Sequence, residues 1–313
     1  MLIVCVVLTL LCILILLQLN WSFLFTNKQP NTNFQNLIEN NDKHDIDITR
    51  YNNIPKIIWT FWDTEHVPEI IKKCIRGWQK HNPDYKIIVL NKQNYIHYVN
   101  IPEYIVNHPH YNDNHAHFAD MIRIHVLSAN GGVWVDSSII LNDSLDKWLF
   151  THYGEFSGFY IGSFTTKPEY PVIENWFFAC NKGSKFMKLW RDEYVQISKY
   201  NSVKDYIDSR TIMGVDIQNI SSPIYLAMHV SAQKVLQIDQ YPITNLILRK
   251  AEDGPFRYLS STEWKTQKAL YLACKEPAYT RPLLKLRGCD RKILEDRSMF
   301  NVLLSVNIDN LLH

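Results

Sequence analysis

The chain reads as an α/β protein, with helices packed on a parallel sheet, a more helical C-terminal half and a transmembrane helix at its N-terminus. Three observations carry that reading. "KIIWTFW" (Lys56–Trp62) and "KIIVLN" (Lys86–Asn91) are β-branched and aromatic runs on either side of a helical stripe. A second helical pattern ends at Gly131-Gly132 and gives way at once to a third apolar run, "VWVD". Finally, Met1 to Phe25 carry no charged side chain. Strand, helix and strand in close succession make a right-handed βαβ unit.

Taken in order, the first 25 residues would form a helix of roughly 37 Å, enough to cross a bilayer core of about 30 Å. A cleaved signal peptide has a shorter apolar region and a small-residue cleavage site, and no such site precedes Trp21 and Phe23. The expectation is an uncleaved single-pass anchor over 1–25. No Lys or Arg precedes the span and Lys28 follows it. A type II orientation, with a lumenal or extracytoplasmic globular part, therefore rests on the span alone. Residues 26–53 are polar and Asn/Asp-rich, as in a stem. The globular domain is expected over 54–313.

Within that domain Pro55 bounds the first strand, and Pro68 opens a helix. Ile70, Ile71, Cys74, Ile75 and Trp78 form that helix's apolar stripe. "NPDY" turns the chain into the second strand. The next helix is expected over Ala116–Asn130, capped from Asn112–Asn114 and stopped by a left-handed Gly131. "GFYIGSF" and "VIENWFFAC" read as strands, "SKFMKLWRDEYVQISKY" as an amphipathic helix and "SPIYLAMHVSAQKVL" as a further helix. The last sixty or so residues, punctuated by Pro and basic residues, give weaker patterns.

Composition narrows the function. Lys and Arg total 33 against 31 Asp and Glu, with no basic run, which argues against a nucleic-acid partner held by phosphate contacts. Nine Trp and 17 Tyr serve packing first, and stacking on bases or sugars second. The six Cys show no metal-type CxxC pairing, so a zinc site is not expected. Cys274 and Cys289 are open to two readings, a disulfide or free thiols. Asn142-Asp-Ser144 and Asn219-Ile-Ser221 fit the short glycosylation pattern. There is no GxGxxG, P-loop or GxSxG, so dinucleotide oxidoreductase, ATPase and α/β-hydrolase lack their signatures.

The segment "HFADMIRIHVLSANGGVWVDSSI" (His117–Ile139) concentrates the candidate chemistry. Ligands of open α/β sheets bind at the carboxyl ends of strands, where Asp136 and Trp62 both fall. Asp120 and Arg123 are three apart, hence on one helix face. As a site, these would be a nucleotide-sugar pocket: Asp136 holding a divalent cation against a diphosphate, Arg123 adding positive charge, Asp120 accepting ribose hydroxyls, Trp62 stacking on the base. As plain structure, Asp120 and Arg123 would be a surface pair, Trp62 core, and Asp136 a strand-ending turn residue.

"IPKIIWTFWDTEHVPEIIKKCIRGWQKHNPDYKIIVLN" followed by "HFADMIRIHVLSANGGVWVDSSI" resembles the capsular-polysaccharide-synthesis glycosyltransferases. These are relatives of the family with a DXD-containing sugar-binding region, which also includes mannosyltransferases. The resemblance covers Ile54 to Tyr200 and weakens beyond. It implies a GT-A fold, a Rossmann-like nucleotide-binding half joined to an acceptor half. By position, Trp62 matches a base-stacking Trp, Asp120 and Arg123 the donor-contacting D-x-x-R pair, and Asp136 the first Asp of the DXD. Ser138 stands where the second Asp would be, which puts direct metal ligation there in question. Lys285 matches a Lys near the end of the pattern, and His229 a helix His; read alone, they are a solvated Lys and a core His. The resemblance implies Mn²⁺ or Mg²⁺ as cofactor, a nucleotide-sugar donor, a glycan acceptor and, from the DXD relatives, retention at the anomeric carbon. The alternative is a non-catalytic protein that binds glycans or nucleotide sugars.

Overall fold

The computed structural model describes residues 54–64, 66–149, 154–296 and 311. The expected anchor over 1–25 and stem over 26–53 lie outside the described residues. Among the described residues, no helix is long and apolar enough to cross a membrane.

The expected βαβ unit is present. Strand β1 (Ile57–Phe61) leads through helix α1 (Glu69–His81) to β2 (Lys86–Leu90), and the two strands pair in parallel from Ile57↔Lys86 to Phe61↔Leu90. Helix α1 buries Ile70, Ile71, Cys74 and Trp78, four of the five residues of its stripe. Helix α2 (His115–Asn130) returns the chain to β3 (Gly132–Val135), which lies parallel to β1 with Ile58↔Val133 and Trp59↔Trp134 in register.

Beyond β3 the sheet ceases to be parallel. Its order is β2-β1-β3-β6-β5-β7, with β5 (Phe156–Ile161), β6 (Val172–Cys180) and β7 (Leu246–Lys250). Strand β6 runs antiparallel to both β3 and β5, while β7 is parallel to β5. Short strand β4 (Ile139–Leu141) leaves this sheet and pairs antiparallel with β8 (Leu283–Lys285). The fold is thus mixed α/β, with a parallel half carrying β1–β3.

Side chains alternate along these strands and feed two cores. Trp59, Phe61 and Trp134 point to the face covered by α2, α3 (Lys185–Tyr194) and α5 (Ala227–Gln237); α4 (Val203–Ile212) packs on α5. Ile58, Val133 and Val135 point to the other face, with α1, β4, β8, α6 (Thr266–Lys275) and α7 (Gly288–Glu295). Cys74, Cys180 and Cys274 are buried free thiols and Cys289 an exposed one, so the Cys274–Cys289 bridge is not made. Asn142 is also withdrawn from the surface, its amide donating to the Arg281 carbonyl at 3.0 Å, whereas Asn219 is exposed.

Two glycines fix how α2 meets β3. Asn114 caps the helix start by accepting from the Ala116 N–H. At its end Gly131 has φ 68° but ψ −164°, an extended conformation essentially restricted to glycine rather than the expected left-handed helical stop. A Cβ there would lie 2.5 Å from the Lys182 nitrogen, and one on Gly132 (φ 100°) would lie 2.8 Å from the Ile57 carbonyl oxygen. Gly131→Ala is therefore expected to destabilise the fold by about 1–3 kcal/mol from backbone strain, with the clash adding to it. A denaturant midpoint equal to that of wild type would show that the crossing is not tight.

Candidate active site

Strands β1 and β3 run in parallel and end together, so Trp62 and Asp136 emerge at one end of the sheet. The Asp136 N–H donates to the Trp176 carbonyl, and its own carbonyl accepts from the Ile139 N–H at 2.9 Å. That second bond closes a turn through Ser137 and Ser138. The carboxylate is the centre of a charged network. Its Oδ1 accepts from Arg123 Nη2 at 3.1 Å and Trp134 Nε1 at 3.0 Å, and its Oδ2 from Lys285 Nζ at 2.8 Å. Arg123 also donates to the Asn175 carbonyl at 2.5 Å and lies 3.2 Å from Asp120 Oδ1, with its guanidinium 5.0 Å above the Trp134 ring. Asn175 closes the circuit, its Nδ2 donating to Asp120 Oδ1 at 3.0 Å.

Four of the residues singled out from the sequence, Asp120, Arg123, Asp136 and Lys285, therefore meet in one network. Asp120 and Arg123 are buried, which removes the surface-pair reading. The Asp136 side chain is 24% exposed against 6% for Arg123, so Asp136 is the end of the network that faces solvent. Burial pushes the Asp120 carboxyl above its usual range despite the nearby Arg123 charge. For Asp136 burial acts in the same direction, but the charges of Lys285 and Arg123 outweigh it and hold that carboxyl below its usual range. Two neighbouring carboxylates are thus pushed apart in pKa, a pattern typical of functional sites.

Ser138 does not join them. An extended backbone would have put it on the Asp136 side, but the turn at Asp136–Ile139 breaks the alternation, and the Ser138 hydroxyl donates to the Leu286 carbonyl at 3.0 Å. Trp62 is half-buried at the edge of the second core rather than inside it. Its Nε1 donates to Thr64 Oγ1 at 2.8 Å, and the Arg291 guanidinium lies 5.4 Å from the ring centroid. His229 is core-like in burial, with Nε2 at 3.5 Å from Glu174 Oε2 and Nδ1 without a hydrogen-bond partner among the described residues.

Sequence reasoning missed Asn175 and the shape of β6. Between Gly158↔Phe178 and Tyr160↔Ile173, β6 advances five residues while β5 advances two. This bulge brings the Asn175 side chain to Asp120 and offers the Asn175 and Trp176 carbonyls that receive Arg123 and the Asp136 N–H. The available signal was the polar pair Glu174-Asn175 interrupting the apolar run "VIENWFFAC".

A divalent cation is the group that the family resemblance implies here, and the residues do not fit a pre-formed site for one. Both Asp136 oxygens already serve fixed cations, Asp120 serves Arg123 and Asn175, and Ser138 is turned away. No group of three or more His, Cys, Asp or Glu suited to an ion occurs among the described residues.

Fold and site together define a mixed α/β protein with a charged network at the carboxyl ends of its parallel strands. The chain belongs to the capsular polysaccharide synthesis protein family, which matches residues 22–268. It is 26% identical over 146 residues to the initiation-specific alpha-1,6-mannosyltransferase of Candida albicans, covering 42% of this chain and 38% of that protein. It is 24% identical over 160 residues to the O-glycosyltransferase braB of Annulohypoxylon truncatum, covering 45% of this chain and 37% of that protein. The chain thus spans less than two fifths of either relative. Among solved structures, the glycosyltransferase GlyE of Streptococcus pneumoniae TIGR4 superposes with a TM-score of 0.42 at 14% identity, over 83% of this chain and 62% of that one.

Proposed function

We propose that this protein is a membrane-anchored glycosyltransferase of GT-A type that moves a hexosyl group from a nucleotide-sugar donor to a glycan hydroxyl, with retention at the anomeric carbon. One observation carries the reading: Asp136, at the end of β3, gathers Arg123 from the helix before it and Lys285 from a strand distant in sequence, at the same sheet end as Trp62. Fixed positive charge in a largely dry site suits a leaving diphosphate. The names of the two relatives support the same class of activity, and the uncharged Met1–Phe25 span supports the anchor.

In the transfer, the bond between the anomeric carbon and the diphosphate breaks, its electron pair leaving with the diphosphate. The acceptor oxygen bonds to that carbon and passes its proton to the departing diphosphate. Arg123 and Lys285 neutralise the charge that builds on the diphosphate. Asp136 holds the two cations in place, and catalysis is mainly positioning and electrostatics.

The test is to incubate the protein with a panel of UDP-, GDP- and CMP-sugars and measure nucleotide release and sugar transfer, in Mn²⁺, in Mg²⁺ and in EDTA. A glycosyltransferase releases nucleotide from one donor, faster when a glycan is present. A binding protein releases none. Activity that persists in EDTA would assign diphosphate neutralisation to Arg123 and Lys285, and strict dependence on Mn²⁺ or Mg²⁺ would bring the ion in with the donor.

Two further results are expected. Trp62→Ala should weaken nucleotide binding by about 1–3 kcal/mol if the indole stacks on the base. Because Trp62 is half-buried, its stability cost should fall below the roughly 3–5 kcal/mol of a core Trp truncation. Unchanged nucleotide affinity would remove Trp62 from the donor site. Full-length protein should stay in the membrane pellet after alkaline carbonate washing, and its recovery in the supernatant would dismiss the anchor.

A further inference from the structure

Tyr225 stands just ahead of α5. It is 55% exposed, and Ile224 beside it is 51% exposed. Such exposure of a large ring needs an explanation. The residue is nevertheless well anchored. His117 Nε2 lies 3.3 Å from the Tyr225 carbonyl oxygen, and the two ring centroids are 5.6 Å apart. His117 is itself braced against His110, with ring centroids 4.4 Å apart.

These contacts tie Tyr225 to the site from two elements. His117 lies one turn before Asp120 on α2, on the same face. Met228, three residues after Tyr225, has its Sδ 3.6 Å from the Asn175 Nδ2 that donates to Asp120. The phenol is held above its usual pKa, first by burial and then by the negative charge of Asp120.

The positions fall in a row across the sheet. Trp62 follows β1, Asp136 follows β3, Asn175 lies in β6, and Tyr225 precedes the helix packed on β6. A nucleotide with its base on Trp62 and its diphosphate at Arg123 and Lys285 would leave the Tyr225 side open for the second substrate. We propose that Tyr225, backed by His117, is the platform on which the acceptor sugar ring lies. A half-exposed tyrosine suits a pyranose, since its face packs against the C–H face of the sugar and its hydroxyl can bond a sugar hydroxyl. The inference rests on the glycosyltransferase reading above and adds the acceptor side of the same site.

The experiment uses the full chain and four proteins: wild type, Tyr225→Ala, Tyr225→Phe, and Tyr279→Ala as a control for an exposed tyrosine elsewhere (79% exposed). With the active nucleotide sugar, the acceptor KM and the ratio of transferred to hydrolysed sugar are measured on methyl glycosides of mannose, glucose and galactose and on their disaccharides. Calorimetry gives the Kd for UDP and GDP. Tyr225→Ala should raise the acceptor KM, and lower the transfer ratio, by about tenfold, as expected for losing one aromatic contact. Tyr225→Phe should retain most of the affinity, Tyr279→Ala should match wild type, and nucleotide Kd should be the same in all four. An unchanged acceptor KM in folded Tyr225→Ala would overturn the platform, as would an equal loss of nucleotide affinity. Wild-type hydrolysis without transfer to any panel sugar would overturn it too, while leaving the donor site standing. Absence of nucleotide release from every donor would instead overturn the reading on which it rests.

Discussion

Replacing Asp136 by Asn is expected to lower turnover by about 10²-fold or more while leaving the affinity for UDP or GDP undiminished. The side chain keeps its shape and one oxygen, so Arg123 and Trp134 retain an acceptor. Lys285 instead meets an amide, and the charge that held it 2.8 Å from Oδ2 is gone. A displacement of about 1 Å in a positioning group suffices for a loss of that size. Two cations freed of their carboxylate attract a diphosphate at least as well as before, which separates turnover from binding. An Asp that merely ended a strand in solvent would leave stability unaffected by this change. Here one charge-assisted hydrogen bond is lost in a mostly buried network, so a stability loss of roughly 1–3 kcal/mol is expected as well. Near-normal nucleotide release by folded Asp136→Asn would remove Asp136 from the mechanism.

Arg123→Met should have the larger effect on stability, about 3–5 kcal/mol, because it leaves two carboxylates without their buried guanidinium. It should also abolish most transfer. The pH dependence carries the diagnosis. Without Arg123, the Asp120 carboxyl, already above its unfolded value, shifts further up. The Asp136 carboxyl loses part of the depression that Arg123 adds to that of Lys285. At Asp120 the folded state then binds more protons than the unfolded one, so stability falls as pH rises through the raised pKa. At Asp136 the stability that ionisation adds at neutral pH is smaller than in wild type. The penalty should therefore shrink on moving from neutral pH toward the usual carboxylate range. A penalty independent of pH would mean that lost packing over Trp134, not unpaired charge, is the cause.

Much of the parallel half was legible because its signals are local. The β-branched runs at Ile57–Phe61 and Lys86–Leu90, the stripe from Ile70 to Trp78 and the caps at Asn114 and Gly131 depend on residues within a few positions of one another. Period and turn chemistry are properties of short segments. The same holds for the three-residue spacing of Asp120 and Arg123. The weaker patterns of the last sixty or so residues belong to short helices and to β8, whose partner is distant in sequence. Leu283–Lys285 is too short to announce itself as a strand and is fixed by pairing with Ile139–Leu141.

The site itself divides along the same line. By itself the sequence determined that Asp136 would close a buried strand, that Asp120 and Arg123 would share a helix face, and that Trp62 would lie at the same sheet end as Asp136. Only the tertiary structure decided what those groups touch. Lys285 reaches Asp136 across 149 residues of chain because β8 pairs with β4. The extra residues in β6 bring in Asn175, and a turn at Asp136–Ile139 sends Ser138 to the Leu286 carbonyl instead of to the charged network. The physical reason is that strand ends and helix faces follow from the backbone period, whereas the partner of a buried charge is chosen by whichever distant group desolvation and pairing bring within reach.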